Sequence, residues 1–430
     1  MKTAKIYSIL FILINLALGA GTFFYYVKEH IKERKAVAVT VTQKAFSNWV
    51  DWKKEYPLSD DLKNSGDAVT AHNTLYDKIR GLSDKADLCI RINAPARMKF
   101  VELGHLFNKI IGKNVFWNLD NLIKLDNDYW VFWMREKSSF KEAAVWVCDF
   151  AKWLEHQKKK FAFILSPTKI PENYDGLPDG IHDYANENAD SFLKGLSEGG
   201  APYFDIRVPL REKYLDNFEA FFKTDHHWLP TTGLWAARQI TGFLNETFGY
   251  NLPEELLTEE NFNKTLYSKM FLGSQGKKVS LTLAGPEDFT LITPKFDTYF
   301  EFEAYCRDIK RHGTFEEALI DKSVINNDYY NSDLYTAYFG VELPVLRVIN
   351  RKAANNIKLL CIKDSYSRVV LPFLACLVKE IVIVDVRRDQ FLHFDGSVRK
   401  LIAKENPDTV LMMYSCCIFN RPESLSFNFK

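Results

Sequence analysis

IKLLCIKDSYS (Ile357 to Ser367), with RVVLPFLACLVKE (Arg368 to Glu380) and IVIVDV (Ile381 to Val386) after it, decides the fold. IKLLCI and IVIVDV are short apolar runs with β-branched residues and little polar alternation, the signature of strands buried on both faces. The segment between them has helical spacing. Strand, helix, strand in so short a stretch implies parallel neighbours joined by a crossover. The pattern recurs outward from here. FAFIL (Phe161 to Leu165), TVLMMY (Thr409 to Tyr414) and YWVFWM (Tyr129 to Met134) read as further strands. FKEAAVWVCDFAKWLEHQKK (Phe140 to Lys159), TTGLWAARQITGFLNETF (Thr231 to Phe248) and FLHFDGSVRKLIAKE (Phe391 to Glu405) read as amphipathic helices. The expected architecture is α/β, a mainly parallel sheet with helices on both faces in three layers. Ligands of such sheets bind at the carboxyl ends of the strands.

Composition narrows the function. Among 430 residues, 56 Lys and Arg balance 55 Asp and Glu, so the chain has no basic field with which to grip a phosphate backbone. Nucleic acid is not an expected partner. A hydrophobic fraction of 47% excludes disorder as the dominant state. The seven cysteines, Cys89, Cys148, Cys306, Cys361, Cys376, Cys416 and Cys417, form no CxxC pair and lack zinc-ribbon, redox or disulfide-scaffold spacing. Buried free thiols are the expectation.

The uncharged run Ile6 to Val27 (IYSILFILINLALGAGTFFYYV) would span roughly 33 Å as a helix, about one hydrocarbon core. Lys2 and Lys5 precede it, Tyr25 and Tyr26 suit an interfacial belt, and a basic cluster follows. A cleaved signal peptide is the rival reading, on the small residues Gly19, Ala20 and Gly21, but the run is long for one. The expected organisation is an anchor at 1–35 with its transmembrane part at 6–27, a polar stem at 36–87, and the α/β domain at 88–430.

Two constellations sit where strands should end. Thr224-Asp225-His226-His227-Trp228-Leu229-Pro230 precedes a helix that Thr231 or Thr232 can cap. In an extended segment residues i and i+2 face one way. Asp225 and His227 then converge while His226 points elsewhere, which makes the two histidines a poor metal clamp; neither a metal nor a cofactor is expected. The plain alternative is a capped helix start with hydrogen-bonded core residues. Lys363-Asp364-Ser365-Tyr366-Ser367 follows the strand IKLLCI, and a serine on such a strand-to-helix turn presents its hydroxyl at the sheet edge. An ordinary turn capped by Ser367 is the alternative. Together, Asp225, His227 and Ser365 supply an orienter, a base and a nucleophile.

TDHHW before a helix and KDSYS between strand and helix resemble the DHHW family, relatives of the SGNH-hydrolase-like alginate O-acetyltransferases of bacterial envelopes. The likeness runs from about Ala94 to the C-terminus and takes in ARMKFVELGHLFNKIIGK (Ala96 to Lys113), Ser166-Pro167-Thr168-Lys169, FLGSQGKKV (Phe271 to Val279) and IVIVDVRR (Ile381 to Arg388). It implies an SGNH-like three-layer fold and a Ser365, His227, Asp225 triad. Further implications are an oxyanion site from the N–H groups of Ser365 and Tyr366 with Gly273, and a substrate contact from Arg387. Arg387 as an ion-pair partner of Asp385 or Asp389, a solvated Lys169, and Trp228 and Tyr366 as packing residues are the plainer readings. Lys363 departs from the usual glycine at its position. The implied activity is acyl transfer, acetyl above all, to a cell-surface or exported polysaccharide, or ester hydrolysis, by a domain held outside the cytoplasm; a membrane protein that donates acyl groups is an implied partner. A catalytically silent glycan-binding or assembly component is the alternative.

Overall fold

IKLLCI lies near the middle of an eight-stranded sheet. The computed structural model describes residues 97–419 apart from 117–118, 120, 135, 215–216, 306–307, 341–343 and 388–396. The expected transmembrane segment, the stem, Cys89 and Cys306 fall outside the described residues. Among the described residues no helix is long and apolar enough to cross a membrane. The chain divides into Met1–Val101 and Glu102–Lys430, and the sheet belongs to the second unit.

The strands are β1 (Lys160–Ser166), β2 (Tyr203–Asp205), β3 (Phe300–Ala304), β4 (Ile309–Gly313), β5 (Val345–Asn350), β6 (Lys358–Lys363), β7 (Glu380–Val384) and β8 (Thr409–Ser415). Their order across the sheet is β2-β1-β8-β6-β7-β5-β3-β4. β2, β1, β8, β6 and β7 are parallel neighbours. β5, β3 and β4 continue the sheet in antiparallel pairing. The sheet is therefore mixed rather than uniformly parallel.

Alternation explains the three layers. In β6, Leu359 and Cys361 enter one apolar cluster and Leu360 and Ile362 enter the other. Ile381 and Ile383 oppose Val382 and Val384 in β7 in the same way, as Leu411 and Met413 oppose Val410 and Met412 in β8. Both faces are apolar, so both are covered. α1 (Lys141–His156), α2 (Ala185–Gly199) and α4 (Val398–Glu405) pack on one side through Val147, Phe192 and Leu401. α3 (Pro230–Phe248) packs on the other through Leu234, Ala237 and Ile240. The antiparallel edge is different, since β3 buries only Phe300, Phe302 and Ala304, β4 buries only Gly313, and Glu301, Glu303, Lys310 and His312 turn outward.

Three local expectations need correction. YWVFWM contributes only Trp130–Phe132, in a separate three-stranded antiparallel sheet with Val115–Phe116 and Leu122–Lys124. A tight turn with Asp128 at φ 67° brings it back on its own neighbour instead of into the main sheet. RVVLPFLACLVKE is a short 3-10 turn, Ser365–Val369, and then Leu371–Ala375. Pro372 sits in the first turn of that helix, where its missing N–H costs nothing. Neither Thr231 nor Thr232 caps α3: Leu229 holds the cap position in extended backbone, Pro230 opens the helix, and the Thr232 hydroxyl donates to the Ala220 carbonyl at 2.9 Å.

Candidate active site

The loop carrying Asp225 is closed at its base by pairing of Phe221 with Trp228 and by the Phe222 N–H donating to the His227 carbonyl at 3.2 Å. Within it the Asp225 carboxylate accepts the His227 backbone N–H at 2.9 Å and contacts His227 Nδ1 at 2.5 Å. The two side chains thus converge through an Asx turn, where side-chain oxygen mimics a backbone turn, and not through extended backbone. The turn also overturns the expectation for His226. Its ring lies against that of His227 with centroids 3.8 Å apart, and its Nδ1 is 2.8 Å from Ser274 Oγ.

Asp364 builds the second half of the site. Its buried carboxylate accepts the Tyr366 N–H at 3.0 Å and, at 2.7 Å each, the N–H and hydroxyl of Ser415 at the end of β8. Ser367 donates to the Asp364 carbonyl at 2.8 Å and lies inside the turn as a supporting residue. The turn thereby aims Ser365 Oγ to 2.7 Å from His227 Nε2. Asp225, His227 and Ser365 form one hydrogen-bonded line, its His227 and Ser365 members 138 residues apart in sequence, and Ser365, the half-buried member, is the end open to a substrate.

The two halves are stitched by aromatic side chains. Trp228 Nε1 donates to the Tyr366 carbonyl at 2.8 Å and the Tyr366 hydroxyl donates to the His226 carbonyl at 2.5 Å. Both rings are buried, so packing is their role and neither offers a face to a sugar. Two of the expected oxyanion donors are spoken for: the Tyr366 N–H goes to Asp364, and the Gly273 N–H goes to Thr224 Oγ1 at 2.9 Å. Gly273 matters for space instead. A Cβ there would lie 2.3 Å from Asp225 Cβ and 2.6 Å from Asp225 Cα. That closeness lets the Ser274 N–H reach Asp225 Oδ2 at 2.5 Å. The Ser365 N–H makes no hydrogen bond among the described residues.

Burial by itself would raise the Asp225 carboxyl, but the imidazoles of His227 and His226 and the hydrogen bonds it accepts hold it well below the usual carboxylate range. Desolvation, and then His227, push His226 down, so it is neutral near pH 7. Lys169 is buried, not solvated. Its ammonium reaches the Trp130 carbonyl at 2.6 Å, Gln275 Oε1 at 2.8 Å and the Lys223 carbonyl at 3.2 Å, and desolvation lowers its pKa to about 7. Glu287 grips the N–H groups of Lys223 and Thr224 at 2.7 Å each and also takes the Thr224 hydroxyl.

Arg387 realises its ion-pair reading: Nη2 is 2.7 Å and Nε 2.9 Å from the Asp385 carboxylate. Lys363 approaches the same carboxylate at 3.5 Å. Asp225, His226 and His227 place one ligand atom each within 4.8 Å of one another. Those atoms are already engaged with each other, Ser274 and Ser365. Cys148, Cys361, Cys376 and Cys416 are buried free thiols; Cys417 is the correction, exposed and 3.7 Å from the Tyr366 hydroxyl. Sequence reading quoted Thr224 within TDHHW without a role and passed over Glu287 and Tyr335, whose site partners lie 31 to 108 residues away in the chain with no local motif to announce them.

Residues 126–271, which include the Asp225 loop, match the family described as SGNH hydrolase-like domain, acetyltransferase AlgX. That segment is similar to the SGNH-hydrolase-like domain of this acetyltransferase family. Solved structures share the overall fold. Bacillus cereus PatB1 is 22% identical, with a TM-score of 0.58 over 72% of this chain and 100% of that one. PatB1 with a sulfonyl adduct is 20% identical, with a TM-score of 0.57 over 71% and 99%. A DHHW family protein from Eubacterium siraeum is 17% identical, with a TM-score of 0.53 over 73% and 97%. No curated protein sequence matches the chain.

Proposed function

We propose that this SGNH-like domain is a serine O-acyltransferase, acetyl being the favoured group, that modifies hydroxyls of a surface or exported polysaccharide. The observation that carries the reading is the unbroken line from Asp225 through His227 to Ser365, with contacts of 2.5 and 2.7 Å. Asp225 orients the imidazole and balances the charge it acquires. His227 Nε2 takes the Ser365 proton as Oγ attacks the acyl carbonyl, and the Ser365 N–H faces the oxygen that becomes negative. Collapse expels the donor's alcohol, which recovers the proton from His227, and leaves an acyl-serine. A sugar hydroxyl then gives its proton to His227 and attacks the acyl-serine, and as the acyl group leaves on the sugar Ser365 Oγ takes that proton back from His227. Water in the sugar's place yields hydrolysis. The matched acetyltransferase family supports acetyl as the group.

In this reading Ile6 to Val27 anchors the chain and the domain stands on the outer side, where polysaccharide and any membrane protein that delivers acyl groups would meet it. With a chromogenic acetyl ester and an oligosaccharide acceptor, acetylated sugar accumulates at the expense of free acetate. Acetate alone would make the protein an esterase, and turnover that survives Ser365→Ala would refute the mechanism. Full-length protein resists carbonate extraction from membranes, and a reporter fused after Lys430 is silent in the cytoplasm. Cytoplasmic reporter activity would overturn the envelope assignment.

A further inference from the structure

Tyr335 lies outside both motifs and the matched segment, yet its ring is stacked on the imidazole of His227, centroids 4.0 Å apart and planes 13° from parallel. It is 1% exposed, too deep to meet a polymeric substrate. Its backbone N–H is held by Asp333 Oδ1 at 3.1 Å, which fixes the 3-10 turn Leu334–Ala337 that presents it. The Phe222 ring stands at right angles to it with centroids 6.4 Å apart, and the Phe222 N–H donates to the His227 carbonyl. The Tyr335 hydroxyl donates to the Tyr366 carbonyl at 3.3 Å, on the nucleophile turn. One side chain therefore touches the base through its face and the nucleophile turn through its hydroxyl.

Resting on the acyl-transfer reading, we infer that Tyr335 is a positioning residue whose ring face holds the His227 imidazole in the plane that joins Asp225 to Ser365. Two in-line hydrogen bonds fix the imidazole along its length but leave rotation about that line to be limited by packing. The His226 and Tyr335 rings both pack against the imidazole, with centroids 3.8 and 4.0 Å away, and Tyr335 alone lies nearly parallel to it. When His227 takes the serine proton, the electron-rich face of Tyr335 also lies against the cation that forms. Both effects act on the reacting base, so they belong to kcat more than to substrate binding.

The test compares Tyr335→Phe, which keeps the face and loses the hydroxyl, with Tyr335→Leu, which keeps bulk and loses the face. Each is measured on a chromogenic acetyl ester with circular dichroism as a folding check. The inference expects Tyr335→Leu to lower kcat about tenfold or more with KM nearly unchanged, from loss of base positioning, and Tyr335→Phe to recover most of it. Equal rates for Leu and Phe variants, or a Phe variant as impaired as Leu, would overturn it. Should the Leu variant not fold, the parent protein supplies a second reading. A proton over an aromatic face is shifted upfield, so the His227 ring proton resonance, assigned by its loss in His227→Gln, lies upfield and moves downfield only where the ring face has gone. An unshifted resonance overturns the stacking. If the parent turned over no ester while that resonance stayed shifted, the acyl-transfer reading alone would fail.

Discussion

Replacement of Gly273 by alanine isolates what the close approach of two loops does for the site. Gly273 has φ −72°, so alanine strains no dihedral. The obstacle is space. The new Cβ would sit 2.3 Å from Asp225 Cβ, and 2.6 Å from both Asp225 Cα and the Thr224 carbonyl oxygen. Backbone atoms cannot swing aside as a side-chain tip can, so the loops must part by about 1 Å to reach ordinary contact distance. Such overpacking costs about 1–3 kcal/mol of stability. Separation also stretches the Ser274 N–H contact to Asp225 Oδ2 and moves Asp225, and with it His227 relative to Ser365. A displacement of that size at a catalytic group costs on the order of 100-fold. Initial rates on a chromogenic acetyl ester and thermal unfolding by circular dichroism give both quantities. Gly104→Ala, at a solvent-exposed helical position with nothing near the new Cβ, is the control and leaves both unchanged or slightly raises stability. A Gly273→Ala protein with rate and melting temperature equal to the parent would refute the role given to the close approach.

The two histidines separate by chemistry. His227→Ala removes the base and lowers kcat/KM by about 1,000-fold or more, while His226→Gln, which keeps the carbonyl that receives Tyr366, retains most of the rate; similar losses in both folded variants would contradict the assignment. Lys169 gives a pH test. Its folded pKa of about 7 lies below its ordinary 10.5, so the unfolded chain binds more protons between those values and stability from this residue rises with pH across that window. Lys169→Met removes the dependence: in urea unfolding, the parent gains on the variant from pH 7 toward pH 10, and a difference that is flat or falls with pH would refute the lowered pKa of Lys169.

The parallel half of the sheet was legible because β1, β6, β7 and β8 are continuous apolar runs, and only a strand covered on both faces can be so. β3 and β4 were not, since FEFEA carries a charge at every other position and IKRHG has three basic residues in a row, and both resemble surface loops until β3 pairs with β5 and β4 with β3. The convergence of Asp225, His227 and Ser365 was foreseen from residue types and from where strands should end. The way it is reached was not: an Asx turn brings Asp225 to His227 and also folds His226 against it. The same turn chemistry at Asp364 takes the Tyr366 N–H, which sequence alone leaves free for an oxyanion. Tyr335 and Glu287 could not be read at all, because what makes them part of the site is contact across the fold.

Covalent labelling of Ser365 tests the central claim most directly. Folded parent protein is treated with an aryl sulfonyl fluoride, which reports an activated serine, and intact mass and peptide mapping locate the adduct. A triad at the observed geometry yields one adduct, on Ser365, whose rate of formation collapses in His227→Ala and which is absent in Ser365→Ala. Labelling confined to the exposed Cys417, or labelling of Ser365 that proceeds equally fast without His227, would contradict an activated nucleophile at this site.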